Sequence, residues 1–264
     1  MTRLRRSLLL LPALAIFLAT AATASAEKIR FGVTAGPHAQ IAEAIVPVAK
    51  AKGLDIEVIE FSDGALIDPA TNDGDLDANG FQHTPYLDQQ NRDRGLNVVS
   101  VGKTVLLPMA GYSKKYKSLD ELPEGAQVTI PNDPSNLGRA LKLLEAGGII
   151  KLTPGVTFNA SELDVVENPK NIRLVPLETA QLPRSLEDVD FSVITSHFAL
   201  SAGLVPKRDS ILIEDQLSDY HCLIGVAEKN KDAPWVKTLV ESYQSPEVRQ
   251  FIETAFEGNV IPVW

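Results

Sequence analysis

The sequence predicts an α/β architecture of two lobes with a ligand cleft between them, on three observations. Segments that alternate polar and apolar residues recur between stretches whose apolar residues fall at helical spacing. The chain opens as strand, helix, strand, the unit of a parallel sheet. Around residues 109–112 the pattern changes character, as a crossing between lobes would.

In order, residues 28–33 alternate and read as a first strand, stopped by Thr34-Ala-Gly-Pro37. Pro37 suits the first turn of a helix over 38–52, which carries Ile41, Ile45 and Val48 at helical spacing and ends at Gly53. Residues 54–61 alternate again, and 63–74 are polar and turn-rich. Next comes Asp77-Ala-Asn-Gly-Phe-Gln-His-Thr-Pro-Tyr-Leu87. Gly80 and Pro85 mark it as a turn that presents Phe81, His83 and Tyr86, not as core strand or helix. A helix over 85–94 ends at Gly95, and strands follow over 97–101 and 103–107.

The second unit begins at Ser118-Leu-Asp-Glu121, a capping-box pattern. It continues with strands over 126–130, 172–176 and 190–194 and a helix over 137–146. Residues 220–226 read as the last strand, followed by helices over 233–243 and from the Ser245 cap to 256. The expected lobes are 27–109 with about 222–264, and 110–221.

Residues 1–26 read as a cleaved secretory signal: Arg3, Arg5 and Arg6, an apolar run over 8–22, and a small-x-small site at Ala24-Ser-Ala26. The run is short for a membrane span. The one cysteine, Cys222, is far from the cut, so the expectation is a soluble periplasmic protein with no lipobox, no membrane anchor and no internal disulfide. Cleavage leaves 238 of the 264 residues and, with three arginines gone, shifts the formal charge from −9 to −12. An acidic chain without a basic run argues against nucleic acid as the main partner.

Two stretches carry candidate chemistry. Phe81, His83 and Tyr86 suit one face of a small-molecule pocket. In Pro131-Asn-Asp-Pro-Ser-Asn-Leu-Gly-Arg139 a strand runs straight into a helix, whose free N–H groups favour an anion, and Arg139 adds a planar two-pronged donor for a carboxylate. The alternative is that Asn132 and Ser135 merely cap the helix and Arg139 is solvated. His38, His83, His197 and His221 fit no compact ligand spacing, so no metal or cofactor is assigned, although a metal receptor built from dispersed histidines stays open as an alternative. Enzyme motifs are lacking. Gly102-Lys-Thr104 has Asn97 where a P-loop needs glycine, there is no Gly-x-Ser-x-Gly, and alternation sends His221 and Cys222 to opposite faces. Cys222 reads as a small buried residue.

These stretches, with Phe31-Gly-Val-Thr-Ala-Gly-Pro-His38, Ser113-Lys-Lys-Tyr-Lys-Ser-Leu-Asp-Glu-Leu122 and Thr179-Ala-Gln-Leu-Pro-Arg-Ser-Leu186, resemble the MetQ/NlpA family of methionine ABC-importer binding proteins. The resemblance runs through nearly the whole mature chain. It implies a type II periplasmic-binding-protein fold, an amino-acid ligand, and an ABC permease with its ATPase as partners. It also implies that Phe81, His83 and Tyr86 wall the ligand side chain and that Arg139, with Asn136 nearby, grips the α-carboxylate. Five positions depart from the family pattern. Gly64 and Gly80 stand where aromatics are usual, and Thr195, His197 and Cys222 stand where asparagines help hold the amino acid's polar end. The departures open a second reading, a ligand other than methionine such as a dipeptide or another sulfur-containing acid, with extra room beside Gly64.

Overall fold

In the computed structural model, residues 27–215 and 220–264 are described; the expected signal over 1–26 lies outside them. Strand β1 (Glu27–Thr34) buries Ile29, Phe31 and Val33 and leads into α1 (Pro37–Ala51), with Pro37 at its first position. Gly53, at φ 83°, turns the chain into β2 (Leu54–Phe61), which pairs with β1 in parallel from Glu27–Leu54 to Thr34–Phe61.

Two corrections follow. The polar run after β2 contains a helix, α2 (Ile67–Asp73), which buries Ile67 and Thr71 one turn apart and stops at Gly74 with φ 89°. Its short length and polar face hid it. The stretch expected to be only a turn begins as core: β3 (Ala78–Asn79) is fully buried. Gly80 then crosses Phe31 so closely that a Cβ would sit 2.5 Å from the ring's Cζ, and His83 starts α3 (Thr84–Arg94).

After β4 (Val98–Lys103), β5 (Val105–Leu106) and β6 (Ala110–Tyr112) the chain enters the second lobe. There β7 (Gln127–Pro131) feeds α4 (Pro134–Ala146), and β8 (Lys151–Leu152) forms a hairpin with β9 (Val165–Glu167). Then come β10 (Arg173–Leu177), α5 (Leu182–Ser185), β11 (Phe191–Ile194), α6 (Ser196–Ser201), α7 (Pro206–Asp209) and β12 (Leu212–Ile213). The chain closes with β13 (Leu223–Ala227), α8 (Pro234–Tyr243), α9 (Pro246–Phe256) and β14 (Ile261–Pro262). Because β14 pairs with β5, the strand near 220–226 is not the last.

The sheets have orders β2-β1-β3-β13-β4 and β10-β7-β11-β6-β12. Each has its own apolar core. Phe31, Ile41, Ile45, Ile224 and Leu239 belong to the first; Val128, Ile130, Leu141, Leu144 and Phe191 belong to the second. Full burial of one such side chain contributes about 1.5–3 kcal/mol, so each lobe holds its own shape while the cleft between them stays free to bind. The chain passes between these two larger sheets after β4, by way of β5 to β6, and again from β12 to β13.

Candidate ligand-binding site

A cavity of about 650 Å³ lies where the two lobes meet. Gly64, Phe81, His83, Tyr86 and Cys222 line it from the first sheet's side, and Asn136, Arg139 and His197 from the second's. The fold therefore gathers all eight expected residues at one place. Their hydrogen bonds, however, divide them into two kinds.

His83 is engaged on both ring nitrogens. Its Nδ1 accepts the Tyr86 N–H at 3.2 Å as the cap of α3, which leaves Nε2 as the donor to Asn136 Oδ1 at 3.1 Å. Burial, helped by the nearby Arg139 charge, holds its pKa down to about 3, so the ring is neutral. Asn136 in turn donates to both Asp133 carboxylate oxygens at 3.1 Å. The pair is a link between lobes. A second link lies beside it, with Gln89 Oε1 on α3 accepting the Ser135 N–H of α4 at 3.0 Å. Asp133 also accepts the Asn136 N–H at 2.9 Å. The start of α4 is thus capped by Asp133 and Gln89, not by the Asn132 and Ser135 of the capping alternative, and the Ser135 and Asn136 N–H groups are not free for an anion.

Arg139 is buried at 4 % exposure, so the solvated reading also fails. Its Nε and Nη2 donate to the two carboxylate oxygens of Glu214 at 2.9 and 2.5 Å, and Nη2 also donates to the Leu107 carbonyl at 3.0 Å. Glu214 accepts the Met109 N–H at 3.0 Å as well. The guanidinium therefore ties α4 to both crossing segments, and its two-pronged edge faces Glu214. What it can offer a ligand is Nη1. Spacing could not reveal this partner, which is 75 residues away.

Phe81 meets Tyr86 edge-on with centroids 5.9 Å apart. A Cβ on Gly64 would stand 2.9 Å from Phe81 Cε2, so the Phe81 ring fills the space that the missing aromatic was expected to leave. The extra room beside Gly64 is not there. Cys222 is buried, its Sγ 3.9 Å from the Phe81 carbonyl, and burial pushes the thiol up to about 12, so it stays protonated.

Other lining residues carry polar atoms with no hydrogen bond: Thr34 Oγ1, His38 Nδ1, Gln82 Oε1, Gln90 Oε1 and Thr195 Oγ1. Leaving such an atom unsatisfied costs about 1–3 kcal/mol, and several around one cavity suit a polar guest. Sequence reasoning missed Thr34, Gln82 and Gln90, because Thr and Gln carry no positional signal; it weighed His38 only as a dispersed metal ligand and met Thr195 only as a residue standing where the family has an asparagine. Among the described residues no group of three or more His, Cys, Asp or Glu is arranged to hold a metal.

The chain matches the family described as NlpA lipoprotein over residues 29–264. It is 52 % identical over 239 residues to the D-methionine-binding lipoprotein MetQ of Salmonella typhi, covering 89 % of this chain and 88 % of that one. The chain belongs to the NlpA lipoprotein family. Lipoprotein 28 of Escherichia coli K12 is 46 % identical over 92 % of this chain and 90 % of its own. A nutrient-binding protein from Burkholderia cenocepacia, solved bound to methionine, superimposes with a TM-score of 0.88 at 48 % identity, covering 89 % of this chain and all of that one. NlpA-family proteins of this kind are binding components of transport, not enzymes, and the two-lobed fold is theirs.

Family membership also overturns one expectation. A soluble protein with no membrane anchor does not fit a family of proteins named as lipoproteins. The expectation rested on the lack of a cysteine near residue 26; the one cysteine of the sequence, Cys222, is buried in the first lobe.

Proposed function

We propose that this NlpA-family chain is the substrate-binding protein of an ABC importer. It captures methionine or a related amino acid or carboxylate in the cleft and hands it to a permease driven by an ATPase. The observation that carries this reading is the cavity between the lobes, which joins an aromatic wall to buried polar atoms without partners. Phe81 and Tyr86 form the apolar wall, Arg139 Nη1 supplies positive charge, and the unpaired oxygens and the His38 imidazole receive the guest's polar groups. The moving bodies are residues 27–109 with about 222–264, and 110–221. Closure forms the His83–Asn136 and Gln89–Ser135 links, and the permease reads the closed form.

His197 and Cys222 favour a second reading, in which the guest is not methionine. A neutral thiol and an imidazole offer different hydrogen bonds from two amides, and a dry site discriminates by what it leaves unpaired. Calorimetric titration with L- and D-methionine tests the first reading. Binding in the micromolar range or tighter supports it; no heat with either, together with binding of another amino acid, moves the assignment to the second.

A further inference from the structure

His38 opens α1 on the first lobe, and His197 lies in the first turn of α6 on the second. Their ring centroids are 5.8 Å apart across the cleft, and both rings line the cavity. His38 is 3 % exposed, and its Nδ1 has no hydrogen bond. His197 packs against the neighbouring Phe198 ring, with centroids 4.1 Å apart and the planes tilted by 42°. Meanwhile the groups that would ordinarily take a carboxylate are engaged elsewhere. The two-pronged edge of Arg139 lies on Glu214, and the start of α4 is capped by Asp133 and Gln89.

We propose that His38 and His197 grip the carboxylate of the bound ligand, one imidazole from each lobe, beside the remaining Nη1 of Arg139. This rests on the reading that the cavity takes an amino acid or carboxylate. Each imidazole presents one N–H to one carboxylate oxygen. Neither chain segment can do this alone, so the pair also couples binding to closure.

A proton follows from the same geometry. Without ligand, burial holds His38 down to about 4 and His197 well below its ordinary value, the latter pushed further by His38, Arg139 and His83. The remaining charges around the cavity are engaged with protein groups. Asp63 accepts the Ala65 N–H, Asp133 holds Asn136, Glu178 accepts from Asn132, and Arg94 donates to the Ala65 carbonyl. A carboxylate that meets both imidazoles from the cavity side reverses this balance by favouring their charged forms. Binding therefore takes up a proton in weakly acid solution and tightens as pH falls, because the bound state titrates above the free one.

The test begins with a thermal-shift screen of the standard protein amino acids, and the one giving the largest rise is titrated by calorimetry at pH 7.5 and 5.5 in two buffers of different ionisation enthalpy. Expected are a tightening of roughly tenfold at the lower pH, as a one-unit difference in pKa gives, and a heat that depends on the buffer. His197→Asn and His38→Gln keep a donor, so each still binds but loses most of the pH dependence. The double variant with alanine at both positions binds at least about tenfold more weakly at either pH, by the loss of two hydrogen bonds to a charged group. The amino acid's amide, which lacks the carboxylate, shows no proton uptake. Binding with no pH dependence, or unchanged affinity in the double variant, overturns the pair while leaving the amino-acid reading standing. Wild-type protein that binds no amino acid overturns both.

Discussion

The two walls of the cleft were equally legible as binding surfaces, yet they differ in what they have left to offer. On the second lobe, Arg139, Asn136 and the start of α4 form hydrogen bonds with Glu214, Leu107, His83, Asp133 and Gln89. On the first lobe, Thr34, His38, Gln82 and Gln90 each keep a buried polar atom without a partner. A residue type suited to a ligand is thus not the same as a residue free to hold one. The expected clamp on the second wall is mainly fastened to protein groups, and recognition falls largely to the atoms left unpaired on both walls, Thr195 Oγ1 among them.

The sharpest way to break this contrast is Arg139→Ala. If Arg139 mainly ties the crossings together, the variant takes the opposite charge away from the largely buried Glu214 carboxylate, and urea unfolding should show a loss of about 3–5 kcal/mol. Replacing both partners, Arg139→Met with Glu214→Leu, should recover most of it. A well-folded, stable single variant that only loses affinity would restore Arg139 to a pure ligand clamp.

Gly64→Tyr should be next in size. The Phe81 ring stands in the way of any side chain there, so the variant should lose about 1–3 kcal/mol by thermal or urea unfolding. Improved methionine affinity at unchanged stability would show instead that Phe81 gives way and that a wall had been missing.

The links between lobes give a smaller effect. His83→Ala and Gln89→Ala each remove one, and each should lower ligand affinity by about 0.5–1.5 kcal/mol through a less stable closed form. Small-angle scattering with saturating ligand should then show a more open average shape. Equal affinity and shape would assign these bonds to the fold alone.

Acid should act on stability in the opposite direction to its effect on binding. His38 titrates at about 4 when folded and near 6.5 when unfolded, so the unfolded chain binds the proton more tightly. Its contribution is complete above pH 6.5 and falls by about 1.4 kcal/mol per pH unit as pH drops toward 4. The unfolding midpoint of wild type should therefore fall relative to that of His38→Gln as pH drops from 6.5 toward 4.

Much of the fold was readable because it follows from local pattern. β2 spans 54–61 as the alternation requires, and Ser245 caps α9 by accepting the Val248 N–H at 3.2 Å. The short elements escaped, because α2 and β3 depend on burial against neighbours far along the chain, which no local period records. The same limit governs the site. Spacing and resemblance pointed to Phe81, His83 and Arg139, but not to Glu214, whose role depends on a 75-residue separation closing. Nor could they point to Thr34, Gln82 and Gln90, which matter through the hydrogen bonds they lack.

The most direct test of the central claim is mass spectrometry of whatever small molecule is released on denaturing freshly purified protein. The account predicts one amino acid, or a close relative carrying a free carboxylate, at up to one per chain. A stoichiometric metal ion with no organic acid, or a neutral apolar molecule, would contradict it.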